Sequence, residues 1–66
     1  METETRTLSV PRRVTLRREG RVWYADVEWS DGKRWVSWAH GRSRAALVTH
    51  ARDRLGRSGF DGVPIG

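Results

Sequence analysis

The sequence predicts an α+β domain: a three-stranded antiparallel sheet, built from two hairpins, packed on one C-terminal helix. Three observations carry this prediction. Residues Arg21–Ser30 alternate, with Trp23, Ala25, Val27 and Trp29 on one parity and Val22, Tyr24, Asp26 and Glu28 on the other, which is the two-residue period of a half-buried strand. Asp31-Gly32 follows directly, and Asp-Gly is a preferred pair for a two-residue hairpin turn. A helix signature comes next: Ser43 as N-cap, Leu47, Val48, Ala51 and Leu55 at helical spacing, and Gly56 as the stop.

Taken in order, residues 1–7 hold little to bury and are expected to form a disordered extension. Leu8, Val10, Val14 and Leu16 share one parity, which predicts a first strand, interrupted or bulged at Pro11. A tight turn at Glu19-Gly20 would set Leu16 opposite Trp23, Val14 opposite Ala25 and Arg13 opposite Asp26. A two-residue turn at Asp31-Gly32 would set Trp29 opposite Arg34, Val27 opposite Val36, Ala25 opposite Trp38 and Trp23 opposite His40. Both hairpins then agree on one apolar face, a strong constraint because a one-residue slip turns every side chain over. The helix is expected from about Arg44 to Leu55, covering that face, with Trp23 and Trp38 in the core. The domain thus spans 8–56. A Gly-rich tail occupies 57–66, from which Phe60, Val63 and Ile65 are placed to fold back over a core edge.

Composition limits what such a body can do. At 66 residues the chain buries only about 60% of the surface that its unfolded form exposes, which excludes large enzyme folds. No apolar run exceeds four residues, far short of a bilayer span. The acidic start Met1-Glu2-Thr3-Glu4 lacks the basic region of a secretory signal, so a cytoplasmic location is expected. Cysteine is absent, so disulfides, thiolate catalysis and the usual structural zinc sites are not available. Two isolated histidines, His40 and His50, offer no ligand spacing. No metal, cofactor or catalytic residue is expected, and the chain is read as a non-enzyme.

The charge points toward a partner. Thirteen Lys and Arg against eight Asp and Glu give +5, with a pI near 11.3, and twelve of the thirteen bases are arginine. Arginine's planar fork suits phosphates and guanine edges, although a G+C-rich coding sequence also enriches arginine. On the expected register the open face of the sheet carries Arg13, Thr15 and Arg17, then Tyr24, Asp26 and Glu28, then Lys33, Trp35 and Ser37. Asp26 and Glu28 read as ion-pair partners of bases such as Arg13 rather than as a catalytic carboxylate pair. Trp35 reads either as packed across the strands or as a contact residue, since an exposed aromatic among bases suits both stacking and interfaces.

Gly20-Arg21-Val22-Trp23-Tyr24-Ala25-Asp26-Val27, Asp31-Gly32-Lys33-Arg34, an aromatic at Trp38 and Ser43 opening a helix with Ala45-Ala46 together resemble the N-terminal arm-binding domain of phage-type tyrosine recombinases. In outline the pattern is similar to the plant ethylene-response-factor DNA-binding domain, and its ββ-β-α order is similar to that of HicB antitoxins. The first two resemblances, which cover about Val14 to Leu55, imply a sheet face inserted into the DNA major groove. The expectation is therefore a small basic nucleic-acid-binding module of a bacterium or phage, regulatory in role. It would favour double-stranded DNA, with Arg13, Arg17, Lys33, Arg34 and Trp35 as contacts and with Arg13 and Arg17 replaceable without harm to the fold. The alternative is a protein-interaction adaptor that docks through Tyr24, Trp29, Trp35 and a strand edge, as a HicB-like antitoxin or a phage inhibitor would.

Overall fold

The computed structural model describes residues 9–66. The segment 1–7 expected to be disordered, and Leu8 at the start of the expected first strand, lie outside the described residues. Strands β1 (Pro11–Glu19), β2 (Val22–Trp29) and β3 (Arg34–Gly41) form an antiparallel sheet in the order β1-β2-β3, and helix α1 (Arg44–Arg57) packs on it. The predicted fold class is the one observed. Among the described residues no helix is long and apolar enough to cross a membrane.

The first turn falls one residue later than expected. Glu19 pairs with Val22, so Gly20 and Arg21 are the central pair, and Gly20 takes φ 65°. Glycine carries the positive φ that glutamate would adopt only with strain. The register therefore moves by two: Leu16 lies opposite Ala25, Val14 opposite Val27, Arg13 opposite Glu28 and Thr15 opposite Asp26. An even shift keeps the side chains from Arg13 onward on their predicted faces, whereas Val10, expected on the apolar face, is 41% exposed and Pro11 is buried opposite Trp29. Arg12 is the extra residue of a bulge between the pairs Pro11–Trp29 and Arg13–Glu28, just after the proline that interrupts the pattern.

The second turn departs further. Its loop has three residues, Ser30 to Gly32, closed by Trp29 N–H donating to Lys33 O at 2.8 Å and Gly32 N–H donating to Trp29 O at 3.0 Å. Only Gly32 takes positive φ, at 90°, and the Asp31 carboxylate accepts from Lys33 N–H at 2.9 Å. This is the type I turn with a glycine bulge, in which Asp need not enter the left-handed region. The odd shift turns β3 over. Val27 faces Trp35 rather than Val36, Glu28 rather than Trp29 faces Arg34, and Ala25 and Trp23 face Ala39 and Gly41 rather than Trp38 and His40.

Packing explains why β3 settles this way round. The helix-side positions of β3 become Trp35, Ala39 and Gly41, and the last two are small. A Cβ built on Gly41 would stand 3.5 Å from Leu47 Cβ, so α1 approaches β3 closely there, where Trp38 and His40 would have held it off. Three residues, Val36–Trp38, lie opposite Asp26 alone, and Ser37 at φ 55° turns the chain through this bulge. Trp38 is half-buried at the core's rim, under the Arg54 guanidinium, whose Cζ lies 4.5 Å from the ring centroid and whose Nη1 donates to Trp38 O at 2.6 Å.

Helix α1 begins as predicted, with Ser43 Oγ accepting from Ala46 N–H at 3.1 Å. It runs past Gly56 and stops at Gly59, the residue that takes positive φ (84°). Phe60 N–H donates to Leu55 O at 2.8 Å and Gly59 N–H to Gly56 O at 2.9 Å, the paired bonds of a Schellman motif with Phe60 packed near Leu55. Leu47, Ala51 and Leu55 are buried, and Val48 is half-buried. With Val14, Ala25, Val27 and Ala39 they make the core, while Trp23, Trp29 and Trp38 pack only at its rim. The tail folds back as its apolar residues suggest. Phe60, Val63 and Ile65 pack on the core, and Ile65 lies parallel to Val14, which donates to Pro64 O and accepts from Gly66 N–H, both at 2.9 Å. The outer edge of β1 is thereby covered at its centre. Among the described residues, β3 has no strand beyond it.

Candidate nucleic-acid interface

Paired residues of neighbouring strands share a face, so the register sorts the charges. The open face carries Arg13, Thr15, Arg17 and Glu19 from β1, Val22, Tyr24, Asp26 and Glu28 from β2, and Arg34 and His40 from β3. Its three arginines stand among three acids. At its centre lies Asp26, 3% exposed and the one buried charged residue of the described chain. Its carboxylate accepts from Arg17 Nε at 2.9 Å, Arg17 Nη2 at 3.3 Å and Ser37 N–H at 2.7 Å, with Arg34 Nη2 at 3.7 Å. Arg17 also donates to Glu19 and to Ser37 Oγ, and it stacks 4.8 Å over the Tyr24 ring.

The electrostatics of this cluster follow from its contacts. Burial alone would raise the Asp26 carboxyl; the Arg17 hydrogen bonds, the Ser37 N–H and the charges of Arg17 and Arg34 outweigh it and hold the group below its ordinary value. The hydrogen bond to Asp26 in turn raises Arg17. The cluster ties the β3 bulge to β1, so a buried charge here fixes backbone geometry. The partner of Asp26 is thus Arg17, not the Arg13 that the expected register placed opposite it.

The five sequence-predicted contacts do not form one surface. Arg13 is exposed on the open face beside Glu28, Arg17 is engaged in the cluster, and Arg34 shares Asp26. Lys33, facing Trp29, and Trp35, facing Val27, lie on the helix-side face at the free edge of β3. Trp35 is 53% exposed because the helix does not cover it, and Val36 beside it is 56% exposed. The residues of the alternative reading are likewise divided. Tyr24 is half-buried under Arg17 on the open face, with the His40 ring 6.4 Å away, whereas Trp29 packs against the core from the other side.

The charge free to meet a polyanion gathers elsewhere. Arg18, Trp23 and Gly41 form a row across one end of the sheet. Arg21 sits in the turn just beyond this row, and Arg42 and Arg44 follow Gly41 into the start of α1. All four arginines are exposed and none makes an ion pair among the described residues. Arg18 uses only Nε, donating to Gly20 O at 3.0 Å. The acid of this end, Glu19, is bound to Arg17, and the first turn of α1 holds no acid, so the positive end of the helix dipole adds to the field. The sequence carries a signal for this in its spacing: between Asp31 and Asp53 there is no acid, while Lys33, Arg34, Arg42, Arg44 and Arg52 fall inside the gap.

Among the described residues no group of three or more His, Asp or Glu side chains is placed to hold a metal. No known protein family, curated protein or solved structure matches this chain.

Proposed function

We propose that this protein is a small non-enzymatic nucleic-acid-binding module that holds duplex DNA mainly by its phosphates, through the arginine-rich end of the sheet. The observation that supports this reading is the convergence of Arg18, Arg21, Arg42 and Arg44 at one end, exposed and without ion pairs. Four guanidiniums on a turn and a helix start make a cationic patch suited to adjacent phosphates. The open face of the sheet is the weaker surface for a polyanion, because its bases are matched by acids and Arg17 is held by Asp26.

Binding of this kind releases counterions and falls steeply with salt. A random-sequence duplex titrated at several salt concentrations should therefore give a negative slope of log K against log[salt]. Neutralising Arg42 and Arg44 together to Gln should weaken binding on every sequence and reduce the magnitude of that slope by about 0.9 per lost contact. Neither side chain packs in the core, so the melting temperature should stay near that of the wild type. No binding at low salt overturns the proposal; an unchanged slope in the folded double variant removes these residues from it.

A further inference from the structure

Trp35 is the most exposed of the four tryptophans. Of the four tryptophans, Trp23, Trp29 and Trp38 pack against the core, and Trp38 is further covered by Arg54. Trp35, opposite Val27, is 53% exposed, on the strand whose outer edge is unpaired among the described residues. Its chain neighbours are Val36, which is 56% exposed, and Arg34, which is turned to the open face beside Asp26 and Glu28; Lys33, on the same face as Trp35, precedes them. From Lys33 through β3 to Arg44 there is no acid. The acid across the strand on the same row is none either, since Trp35 faces Val27.

From this we infer that the β3 edge takes a short stretch of single-stranded nucleic acid, with an unpaired base stacked on Trp35 and a flanking phosphate met by Lys33, which shares the helix-side face with it. A flat indole offers its face to any unpaired base, whereas in a continuous duplex the base faces are already stacked on one another. Bases flanking an exposed aromatic are the combination by which proteins hold single strands without reading their sequence. Charge complementarity favours this occupant over an added protein strand for a further reason. The bulge at Val36–Trp38 breaks the edge after two residues of β3, which limits backbone pairing with a partner chain, while a side-chain stacking platform needs no continuous edge. The inference rests on the nucleic-acid reading above and adds to it a second binding surface and a strand form. Together, the basic end and Trp35 would suit a duplex with a frayed or unpaired segment.

The test is fluorescence anisotropy with a labelled oligothymidylate and, separately, with a labelled duplex of the same length, at low salt. Wild type is expected to bind both. Trp35→Ala should lose about tenfold in affinity for the single strand, with less than about a twofold change on the duplex. Trp35→Phe should keep most of the single-strand affinity, because an aromatic face remains. Circular dichroism should show the same fold in all three proteins. An oligonucleotide with abasic sites should bind wild type and Trp35→Ala alike, since only the stacking contribution is removed. If wild type binds duplex but not the single strand, the inference falls and the duplex reading stands. If Trp35→Ala binds the single strand as tightly as wild type, Trp35 is not the platform. If neither nucleic acid binds, both readings fall.

Discussion

Leu47→Ala is expected to lower the unfolding free energy by about 2–5 kcal/mol, the range for truncating a buried leucine. Leu47 is fully buried and sits where α1 meets Gly41 at the end of β3. A domain of this size has roughly 3–10 kcal/mol in total, so the variant should lose a large share of its stability. The upper half of the range is the more suitable expectation, because the site cannot collapse easily: Gly41 has no side chain to fill the space, and Val14, Val27 and Ala25 are held in the sheet. Urea denaturation followed by circular dichroism measures it directly. A midpoint equal to that of wild type would mean that α1 does not close the sheet through this residue.

Asp26→Ala should cost about 2–3 kcal/mol. Removing a buried partner of an ion pair ranks among the most damaging substitutions, and hydrogen bonds to a charged group are worth about 1.5–3 kcal/mol. Here the loss is moderated, since Arg17 and Arg34 are part-exposed and recover hydration once freed, whereas the Ser37 N–H in its bulge loses the acceptor that holds it. Asp26→Asn keeps that acceptor and should cost less than Asp26→Ala. The acid dependence has a definite sign. A carboxyl held below its ordinary value in the folded state is deprotonated more readily there than in the unfolded chain, so its contribution is complete above the unfolded value and is lost as pH falls through the folded one. Wild-type stability should therefore drop below about pH 4 more steeply than that of Asp26→Asn, as seen in melts across that window. The same cluster bears on any charge-reversal experiment. Arg17→Glu would place a second carboxylate against Asp26, so it reads stability rather than binding, contrary to the expectation that Arg17 is replaceable without harm to the fold. Arg13, exposed and opposite Glu28, is the residue of that pair whose substitution leaves the cluster intact.

The elements of the fold were legible because local signals agreed with one another. The alternation of Arg21–Ser30, Ser43 as cap and the helical spacing of Leu47, Ala51 and Leu55 each describe one element without reference to another. Register was less legible, because it depends on which residue takes the positive φ. Gly20 and Gly32 do so, at 65° and 90°, and each displaced the turn that a dipeptide rule had assigned. On β1 the displacement was even and left the faces from Arg13 onward as expected, the bulge at Arg12 exchanging only Val10 for Pro11; on β3 it was odd and exchanged Val36, Trp38 and His40 for Trp35, Ala39 and Gly41. That exchange is decided by a contact between segments, Gly41 against Leu47, to which a strand's own pattern is blind. The helix stop was missed in the same way, since Gly56 and Gly59 look alike until the Leu55–Phe60 contact selects the later one.

The candidate site depended on the same step. A count of bases gives the net charge, but which bases are free follows from where the acids lie. Asp26 draws in Arg17 and Arg34, Asp53 pairs with Arg57 at 3.1 Å, and Arg54 lies over Trp38. What remains exposed without an ion pair includes the end formed by Arg18, Arg21, Arg42 and Arg44. The acid-free interval between Asp31 and Asp53 is visible in the sequence, but the meeting of Arg42 and Arg44 with Arg18 and Arg21 requires the pairing of Trp23 with both Arg18 and Gly41.

The most direct test of that placement is a titration of ¹⁵N-labelled protein with random-sequence duplex, following each backbone amide by NMR. The largest shift changes are expected at Arg18 to Arg21 and at Gly41 to Ala45, with Thr15, Tyr24 and Asp26 on the open face changing little. The opposite pattern, with the largest changes centred on Thr15, Asp26 and Glu28 and the arginine-rich end unmoved, would contradict the account and return the binding surface to the open face of the sheet.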